Sequence, residues 1–385
     1  MTLSKTVHYI GPYSDPLHAD RNLLVQPSGI AKMNYILSSL QNSGFRVCLF
    51  STAPTKNNFF CHYAKDVYNP AENTTIIYPG IFGGPTVLFK VLSRLWSLVR
   101  MLVYLLKIRA DEDVLIYHVY YYRFVISLVR IIKKNRLVFE VEEVYNVLWR
   151  RSKTRQEKEM RYLRTASAYI LVNDLIAGRA GLTGKPGIVC YGDYRPMPSC
   201  PKESDGLIHL VFSGLIETGN GGVNYSLEAV RRLPEEKYQL HITGYGDQES
   251  IDQVKSRIKE INKELDREAI VYHGCLNDEN FLRLISSFHI GLATSDLDRQ
   301  ESLYMFPSKI LIYMRANLSV VASPMACIES SRLNRVVALS RDKGPGAIAD
   351  AIMSVGDRAT DCSGILKELD SDFKRDLKAL FLPDR

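Results

Sequence analysis

Residues 210–246 read LVFSGLIETGNGGVNYSLEAVRRLPEEKYQLHITGYG, and this stretch decides the fold class. An apolar run ends at Ser213-Gly214, residues with helical periodicity follow over Asn224–Leu233, and a second apolar run over Tyr238–Thr243 ends in Gly244-Tyr245-Gly246. Strand, helix and strand in this order predict a βαβ unit, whose two strands are parallel.

The same alternation continues on both sides of this unit. Downstream, strands are predicted at Ile270–His273, Ile290–Ala293 and Ser319–Ala322, with helices between them. Upstream, a glycine loop follows the first predicted strand, and a helix that opens at Ser28-Gly29 leads to the strand Arg46–Phe50. The chain is therefore predicted to be α/β, with two Rossmann-like, doubly wound parallel-sheet domains.

The domain boundary is predicted from a break in this pattern. Residues 192–206, GDYRPMPSCPKESDG, hold three prolines and no apolar period, which is typical of a linker. We predict an N-terminal domain over residues 1–195, a linker over 196–206, a C-terminal domain over 207–363, and a C-terminal helix over 364–385 that packs back on the N-terminal domain. Two such domains are expected to face each other across a cleft.

Composition narrows the class of protein. The 385 residues are 46% apolar and 24% charged, as in globular proteins, which suits two cores. The seven cysteines are scattered, with no CxxC pair and no Cys/His cluster at metal-ligand spacing. Together with a missing secretion signal, this predicts reduced thiols in a cytoplasmic protein and no metal site.

The basic residues are concentrated in the first half of the chain. Residues 1–200 hold 26 Lys and Arg against 14 Asp and Glu, which indicates a polyanionic partner. Nucleic acid is excluded by the lack of any recognisable nucleic-acid-binding motif. The stretch Thr86–Ile108, TVLFKVLSRLWSLVRMLVYLLKI, is too charged to span a bilayer but has the apolar bulk, cations and tryptophan of an interfacial helix. The alternative is a long helix packed within the N-terminal domain.

The glycine loops described above are joined by His273-Gly274 and by a helix start at Phe306-Pro307-Ser308-Lys309. In order and spacing along almost the whole chain, these motifs resemble those of a GT-B glycosyltransferase of the GT4-like group (glycosyl transferases group 1). The resemblance implies transfer of a sugar from a UDP- or GDP-linked donor, with retention, and no metal or other cofactor. An inverting mechanism with His118 or Glu143 as base stays open. The same fold also leaves open a sugar-nucleotide epimerase or hydrolase, and a non-catalytic GT-B partner subunit.

The resemblance assigns the donor site to glycine loops and one helix start. Backbone N–H groups at Ser28 and Gly29 would face the donor diphosphate, since a helix N-terminus suits an anion. The remaining donor-binding residues are expected to be Gly214, Gly244, Tyr245, Gly246, His273, Gly274, Cys275, Leu276, Glu301, Pro307, Ser308 and Lys309.

The sequence departs from the family at two places. No Arg or Lys lies between Gly214 and Arg231, where the family usually carries a basic pair for the diphosphate. The two glutamates that the family carries with seven residues between them correspond to Tyr304 and Ile312 here. In the family, one of these glutamates binds the donor ribose, and we expect the nearby Glu301 to take this role here.

The acceptor site is predicted in the N-terminal domain. His118 ends a strand, where the resemblance places a histidine facing the donor, and we name His118, Glu143 and Lys309 as catalytic candidates. Glu140, Glu142 and Glu143 end the strand in RLVFEVEEVYN, and such carboxylates can bind acceptor hydroxyls. We expect residues 86–108 to bind an anionic membrane surface. Because this would place the protein at the membrane, the acceptor is expected to be a lipid-linked glycan. The protein would lie on the cytoplasmic face of the membrane and act in surface polysaccharide biosynthesis.

Overall fold

The computed structural model describes residues 5–198, 200–217, 222–234, 236–276, 278–296, 300–356 and 360–382. The strands are β1 Thr6–Gly11, β2 Arg46–Ser51, β3 Cys61–Tyr63, β4 Asp66–Ala71, β5 Thr74–Tyr78, β6 Ile81–Gly83, β7 Asp113–Tyr117, β8 Leu137–Val141, β9 Ala168–Leu171, β10 Gly187–Val189, β11 Ile208–Leu215, β12 Tyr238–Tyr245, β13 Ile270–Gly274, β14 Ile290–Ala293, β15 Ser319–Ala322 and β16 Val337–Leu339.

The helices alternate with these strands along the chain. They are α1 Pro27–Asn42, α2 Val87–Lys107, α3 Arg123–Ile132, α4 Tyr145–Leu148, α5 Lys153–Leu163, α6 Ile176–Arg179, α7 Gly222–Val230, α8 Gln248–Glu264, α9 Asp278–Ser287, α10 Lys309–Arg315, α11 Ala326–Glu329, α12 Pro345–Val355 and α13 Ser363–Phe381. Short 3-10 helices cover Pro16–Arg21, Tyr120–Tyr122, Glu301–Leu303 and Arg332–Arg335. Within the described residues, no helix is long and apolar enough to cross a membrane.

The chain divides into two compact units. The first, here the N-terminal domain, is Met1–Asp193 with Ser371–Arg385, and the second, the C-terminal domain, is Tyr194–Asp370. The end of α13 lies in the N-terminal domain, where the Phe373 ring packs 5.3 Å from that of Tyr35. Lys5 also donates to the backbone carbonyl of Phe381 at 2.7 Å.

The C-terminal sheet has the order β13-β12-β11-β14-β15-β16, and all its neighbouring strands are parallel. Numbered within the domain, this order is 3-2-1-4-5-6, the Rossmann arrangement. The direction in which the chain adds strands reverses between β11 and β14. In such sheets a ligand binds outside the carboxyl ends of the two strands at the reversal, so residues after β11 and β14 are the first to consider.

The N-terminal sheet has the order β10-β9-β8-β7-β1-β2-β5-β4 and reverses between β1 and β7. Its strands are parallel except β4, which pairs antiparallel with β5 at the edge. The sequence did not predict β4, because Asn69 and Pro70 disfavour a strand interior; an edge strand tolerates proline. The predicted α/β class with two Rossmann-like domains is confirmed.

Candidate active site

Glycines bring β11 and β12 close together at their carboxyl ends. Gly214 and Gly244 are register partners, and a Cβ on Gly244 would lie 1.9 Å from the Gly214 carbonyl oxygen. A Cβ on Gly246 would lie 2.2 Å from the carbonyl oxygen of Ile216. Both glycines of the GYG motif are therefore required by backbone packing, and they leave the Tyr245 side chain 54% exposed.

A buried tyrosine joins the two strands at the reversal. The Tyr313 hydroxyl accepts the backbone N–H of Ser213 at 2.9 Å and donates to the carbonyl of Leu292 at 3.3 Å. Burial raises the pKa of Tyr313 to about 12, so the hydroxyl remains a donor at neutral pH. Tyr313 thereby fixes the carboxyl end of β11 against β14.

Lys309 places an uncompensated cation at this point. It is the first residue of α10, and its Nζ lies 3.9 Å from the centroid of the Phe212 ring. No hydrogen bond or carboxylate partner joins Nζ within the described residues, and burial lowers the pKa of Lys309 to about 8. An ammonium that has only an aromatic face beside it favours an incoming anion. Pro307 and Ser308 precede it, and the Ser308 side chain caps no backbone N–H.

The loop after β13 is open on its outer side. Gly274 has φ of 71°, a conformation that favours glycine, and no atom of a described residue lies within 4 Å of where its Cβ would stand. Cys275 is exposed and Leu276 is half-buried. Glu301, in contrast, is buried at the start of its 3-10 helix.

A chain of histidines ends at this loop. Asp205 faces His209 Nε2 at 3.0 Å, His209 Nδ1 faces His241 Nε2 at 2.9 Å, and His241 Nδ1 faces His273 Nε2 at 2.9 Å. Hydrogen bonds with its surroundings, first that from the Leu207 backbone N–H, lower the pKa of Asp205, so its carboxylate accepts. Each imidazole then donates through Nε2, which assigns the proton of His273 to Nε2 and leaves its Nδ1 as an acceptor.

In the N-terminal domain, the start of α1 lies near the end of β7. A Cβ on Gly29 would stand 3.2 Å from the Tyr117 hydroxyl, and Ser28 is exposed in the first helical turn. Gln26 caps no N–H with its side chain. The first N–H groups of a helix have no intrahelical acceptor, so this turn retains donors for an anion.

His118 is the residue after β7 and is fully buried. Its Nδ1 lies 3.2 Å from the backbone carbonyl of Glu143, and its Nε2 lies 3.5 Å from Glu159 Oε1. Burial lowers the pKa of His118 to about 4, so the ring is neutral and its Nδ1–H donates to Glu143. In this conformation His118 can act on a substrate only through the Glu143 loop that it holds.

The three glutamates of this region have different surroundings. Glu140 is fully buried and accepts a short hydrogen bond from Tyr9; burial, then the charge of Glu142, raises its pKa to about 8. Glu142 pairs with buried Lys32 at 2.5 Å. Burial alone would lower the pKa of Lys32, but the charge of Glu142 raises it above its ordinary value. Lys32 and Glu142 therefore form a fixed ion pair.

Glu143 is the carboxyl available for chemistry. It lies beyond the end of β8, is half-buried, and its side chain makes no hydrogen bond or ion pair with a described residue. Burial, then the charge of Glu142, raises its pKa to about 7. A carboxyl that titrates near neutral pH can both accept and donate a proton there.

Comparison with solved structures extends over nearly the whole chain. A UDP-forming α,α-trehalose-phosphate synthase from Burkholderia xenovorans superposes with a TM-score of 0.63 at 12% identity, over 98% of this chain and 99% of the other. The same activity and organism are represented by a complex with glucose-6-phosphate, at a TM-score of 0.61, 10% identity and 98% of each chain. A sucrose-phosphate synthase from Thermosynechococcus elongatus reaches 0.62 at 15% identity, over 98% and 95%. These similarities show the GT-B fold.

The C-terminal domain also matches a sequence family. Residues 208–357 match the profile of the family described as glycosyl transferases group 1. This match shows that the C-terminal domain is similar to group 1 glycosyltransferases. A comparison with curated proteins finds no match.

The structure brings several predicted donor residues together and adds others. Gly214, Gly244 and Lys309 meet at the end of β11, because a Cβ on Gly214 would stand 3.5 Å from Lys309 Nζ. The glycine-rich residues 218–221 that follow lie outside the described residues. The sequence analysis missed Lys32, although a lysine on the apolar face of α1 indicates a buried charge with a partner. It also missed the histidine chain, because its members are 32 residues apart in the sequence. The roles of the site residues stay predictions.

Proposed function

We propose that this glycosyltransferase transfers a sugar from a UDP- or GDP-linked donor to a hydroxyl of a lipid-linked glycan, with retention and without a metal. The observation that carries the donor assignment is Lys309, a cation beside the strand reversal of a Rossmann sheet that no described carboxylate neutralises. We place the donor diphosphate on Lys309 and the backbone around Gly214. The base and ribose lie on the loops after β12 and β13, with Glu301 nearby.

The proposed chemistry depends on charge stabilisation. When the sugar–phosphate bond breaks, negative charge develops on the leaving diphosphate, and Lys309 is placed to stabilise it. In a retaining transfer the acceptor hydroxyl attacks from the face that the diphosphate leaves, and its proton passes to the leaving phosphate. Glu143 would hold the acceptor hydroxyl by a hydrogen bond. If the transfer instead inverts, Glu143 is the base that its pKa of about 7 suits.

The surface of α2 supports a lipid-linked acceptor. Its buried side is formed by Ser93, Ser97, Met101 and Leu105, whereas its valines, several leucines and the tryptophan face outward. Val87, for example, is 76% exposed. An ordinary packed helix buries its most apolar side. The reversed pattern favours an apolar environment outside the protein, such as the interface of a membrane.

The neighbouring helix has the same character. α3 packs against α2 and exposes Phe124, Leu128, Ile131 and Ile132, with Ile131 83% exposed. The exposed side of α2 carries cations as well, here called the α2 cations: Lys90, Arg94, Arg100 and Lys107. Each adds about 1 kcal/mol of attraction to an anionic surface, so together they can recruit the protein without a spanning segment. We propose that the enzyme works on the cytoplasmic face of a membrane, in surface polysaccharide synthesis.

Vesicle co-sedimentation tests the membrane part of the proposal. Wild-type protein should sediment at low salt with vesicles of phosphatidylglycerol and phosphatidylcholine, and not with phosphatidylcholine alone. Replacing the α2 cations by Gln should remove this binding and leave nucleotide affinity unchanged. Equal sedimentation of that variant, or none for wild type, would exclude electrostatic docking through α2.

Other functions predict different outcomes. The glucose-6-phosphate complex of a structural neighbour favours a second acceptor class, a soluble sugar phosphate. A thermal-shift screen of nucleoside diphosphates and nucleotide sugars identifies the donor, because the ligand that binds most tightly stabilises the fold most. Donor hydrolysis or epimerisation without an acceptor would favour the hydrolase or epimerase alternative. No nucleotide binding would favour a non-catalytic partner subunit.

A further inference from the structure

The N-terminal domain contains a pocket of about 340 Å³ that the donor site does not use. It lies where the start of α3 meets α4 and α5. Four of its lining residues are cations: Arg123, Arg151, Arg155 and Lys158. No Asp or Glu of the described residues lines it. Pockets of this volume accommodate a small ligand rather than a single water molecule.

The cations of this pocket are not neutralised by the part of the chain that the structure describes. None of the four forms an ion pair with a carboxylate among the described residues. The Arg123 guanidinium lies 4.1 Å from the ring centroid of Tyr120 and 3.9 Å from that of Phe124, and it donates to the Tyr120 carbonyl at 3.3 Å. The rings of Tyr120 and Phe124 orient the Arg123 guanidinium but supply no negative charge. Like charges gathered without counter-charge favour an anionic ligand.

A buried amide provides a second, independent indication of a polar ligand. Asn146 lines the same pocket and is only 5% exposed, and no well-formed hydrogen bond joins its Nδ2 to a described residue. Its backbone N–H donates to Glu159 Oε2 at 2.7 Å, which fixes its position, and its side chain also faces the Glu159 carboxyl, whose pKa it lowers against the effect of burial. A buried donor whose hydrogen bonding is incomplete costs free energy unless a ligand supplies an acceptor.

Aromatic contacts link this pocket to the predicted acceptor residues. Trp149 lines the pocket, is 62% exposed, and its ring lies 5.4 Å from that of Tyr145. The Tyr145 ring in turn lies 5.7 Å from that of His118, whose Nδ1 holds the Glu143 carbonyl. Two aromatic ring contacts therefore connect a ligand in the pocket to the residues that we expect to orient the acceptor hydroxyl.

From this geometry we infer that the pocket binds the phosphate or diphosphate ester of the acceptor, held by Arg123, Arg155 and Lys158 with Asn146 as neutral donor. The inference rests on the proposed function for its division of donor and acceptor between the two domains. Phe124 of the exposed apolar side of α3 stacks on Arg123 at the pocket. A prenyl chain attached to the phosphate would find an apolar surface there, whereas a sugar phosphate needs the pocket alone.

The chain offers a direct reporter for this site. Its two tryptophans are Trp96 and Trp149, so Trp96→Phe leaves the pocket residue as the only tryptophan. In this background, inorganic pyrophosphate, glucose 6-phosphate and farnesyl diphosphate are titrated while Trp149 emission is followed, with farnesol as the uncharged control. We expect a saturable change with pyrophosphate that is weakened by salt. Arg155→Gln with Lys158→Gln should weaken it at least tenfold, since both side chains are exposed on α5 and their replacement spares the core.

Arg161→Gln is the matched control, because Arg161 is exposed on the same helix but does not line the pocket. It should bind within twofold of the parent. No saturable response to any phosphate, or equal affinity in the double variant, would overturn the inference. Farnesyl diphosphate binding at least tenfold tighter than pyrophosphate would identify a lipid-linked acceptor. Glucose 6-phosphate binding tighter than pyrophosphate would keep the pocket and contradict the lipid-linked part of the proposed function.

Calorimetry with UDP and GDP separates this inference from the donor assignment. Arg155→Gln with Lys158→Gln should leave nucleotide affinity unchanged. A pocket that binds pyrophosphate in a protein that binds neither nucleotide would support the anion site and contradict the proposed donor. The reverse pattern, nucleotide binding without a Trp149 response, would contradict the pocket alone.

Discussion

Replacing Lys309 by Gln should abolish most of the affinity for a nucleoside diphosphate. In the free protein the ammonium of half-buried Lys309 lies against Phe212, no described residue supplies an anion to it, and burial lowers its pKa to about 8. A bound phosphate supplies the missing charge and should return the pKa toward its ordinary value of about 10.4. A rise of about two units corresponds to about 3 kcal/mol of binding free energy, which matches a charge-assisted hydrogen bond.

The same coupling fixes the pH dependence. Binding favours the protonated lysine, so affinity should be nearly constant below pH 8, where the free protein already holds the proton. Between about pH 8 and 10 the nucleotide affinity should fall, by a factor approaching ten for each pH unit, because Lys309 must take up a proton when the nucleotide binds. Gln carries no titrating proton, so the variant should lack this decline.

Isothermal titration calorimetry with UDP and GDP, from pH 7 to 9.5, measures both effects. At pH 7 the Lys309→Gln variant should bind the preferred nucleotide roughly 30- to 150-fold more weakly. Lys259→Gln, an exposed lysine on α8, is the control for a general loss of positive charge. Affinity of Lys309→Gln within twofold of wild type, or a wild-type affinity that is flat to pH 9.5, would refute the placement of phosphate on Lys309.

Four further results are expected. Glu143→Gln should lower kcat/KM for transfer at least tenfold and leave UDP or GDP affinity unchanged; equal turnover would remove Glu143 from the site. His241, whose pKa burial lowers to about 3, is neutral in the fold. Because the unfolded chain binds a proton at His241 below its ordinary pKa of 6.5 and the folded protein does not, the free energy of unfolding should decrease as pH falls toward 3. Urea unfolding should show a decrease of about 2 kcal/mol between pH 6.5 and 5, and a smaller decrease in His241→Gln. Leu95→Gln with Ile131→Gln should weaken vesicle binding without changing the unfolding midpoint, whereas an unchanged sedimented fraction would contradict docking by the apolar sides of α2 and α3. Excess EDTA should leave the transfer rate unchanged, and a loss restored by added Mg²⁺ would show a metal requirement.

The sequence predicted the fold well because its signals are local. Each βα unit shows its own apolar run, periodic helix and terminal glycine. Right-handed crossovers between successive units of this kind lead to the 3-2-1-4-5-6 strand order. The helix over 86–108 was predicted too, but not its orientation. Periodicity alone would bury the valines and leucines, whereas the structure buries Ser93 and Ser97.

The surroundings of site residues depended on contacts distant in the chain. His118 and Glu140 lie next to the carboxyl ends of β7 and β8, close to where they were predicted. Whether they face solvent is decided by the elements that cover them, including Glu159 from α5 and Tyr9 from β1. The basic pocket joins Arg123 with Arg155, and nothing in the intervening sequence indicates that they meet. Local patterns predict which residues end a strand, and packing determines which of them remain accessible.

Transfer of label from a radioactive nucleotide sugar tests the central claim most directly. The purified enzyme is incubated with the donor identified by thermal shift and with a membrane lipid extract, and the products are partitioned between organic solvent and water. We predict enzyme-dependent label in the organic phase that mild acid releases, as expected of a sugar linked to a prenyl diphosphate, and none with Lys309→Gln. Label confined to a water-soluble product, or free labelled sugar alone, would contradict a lipid-linked acceptor.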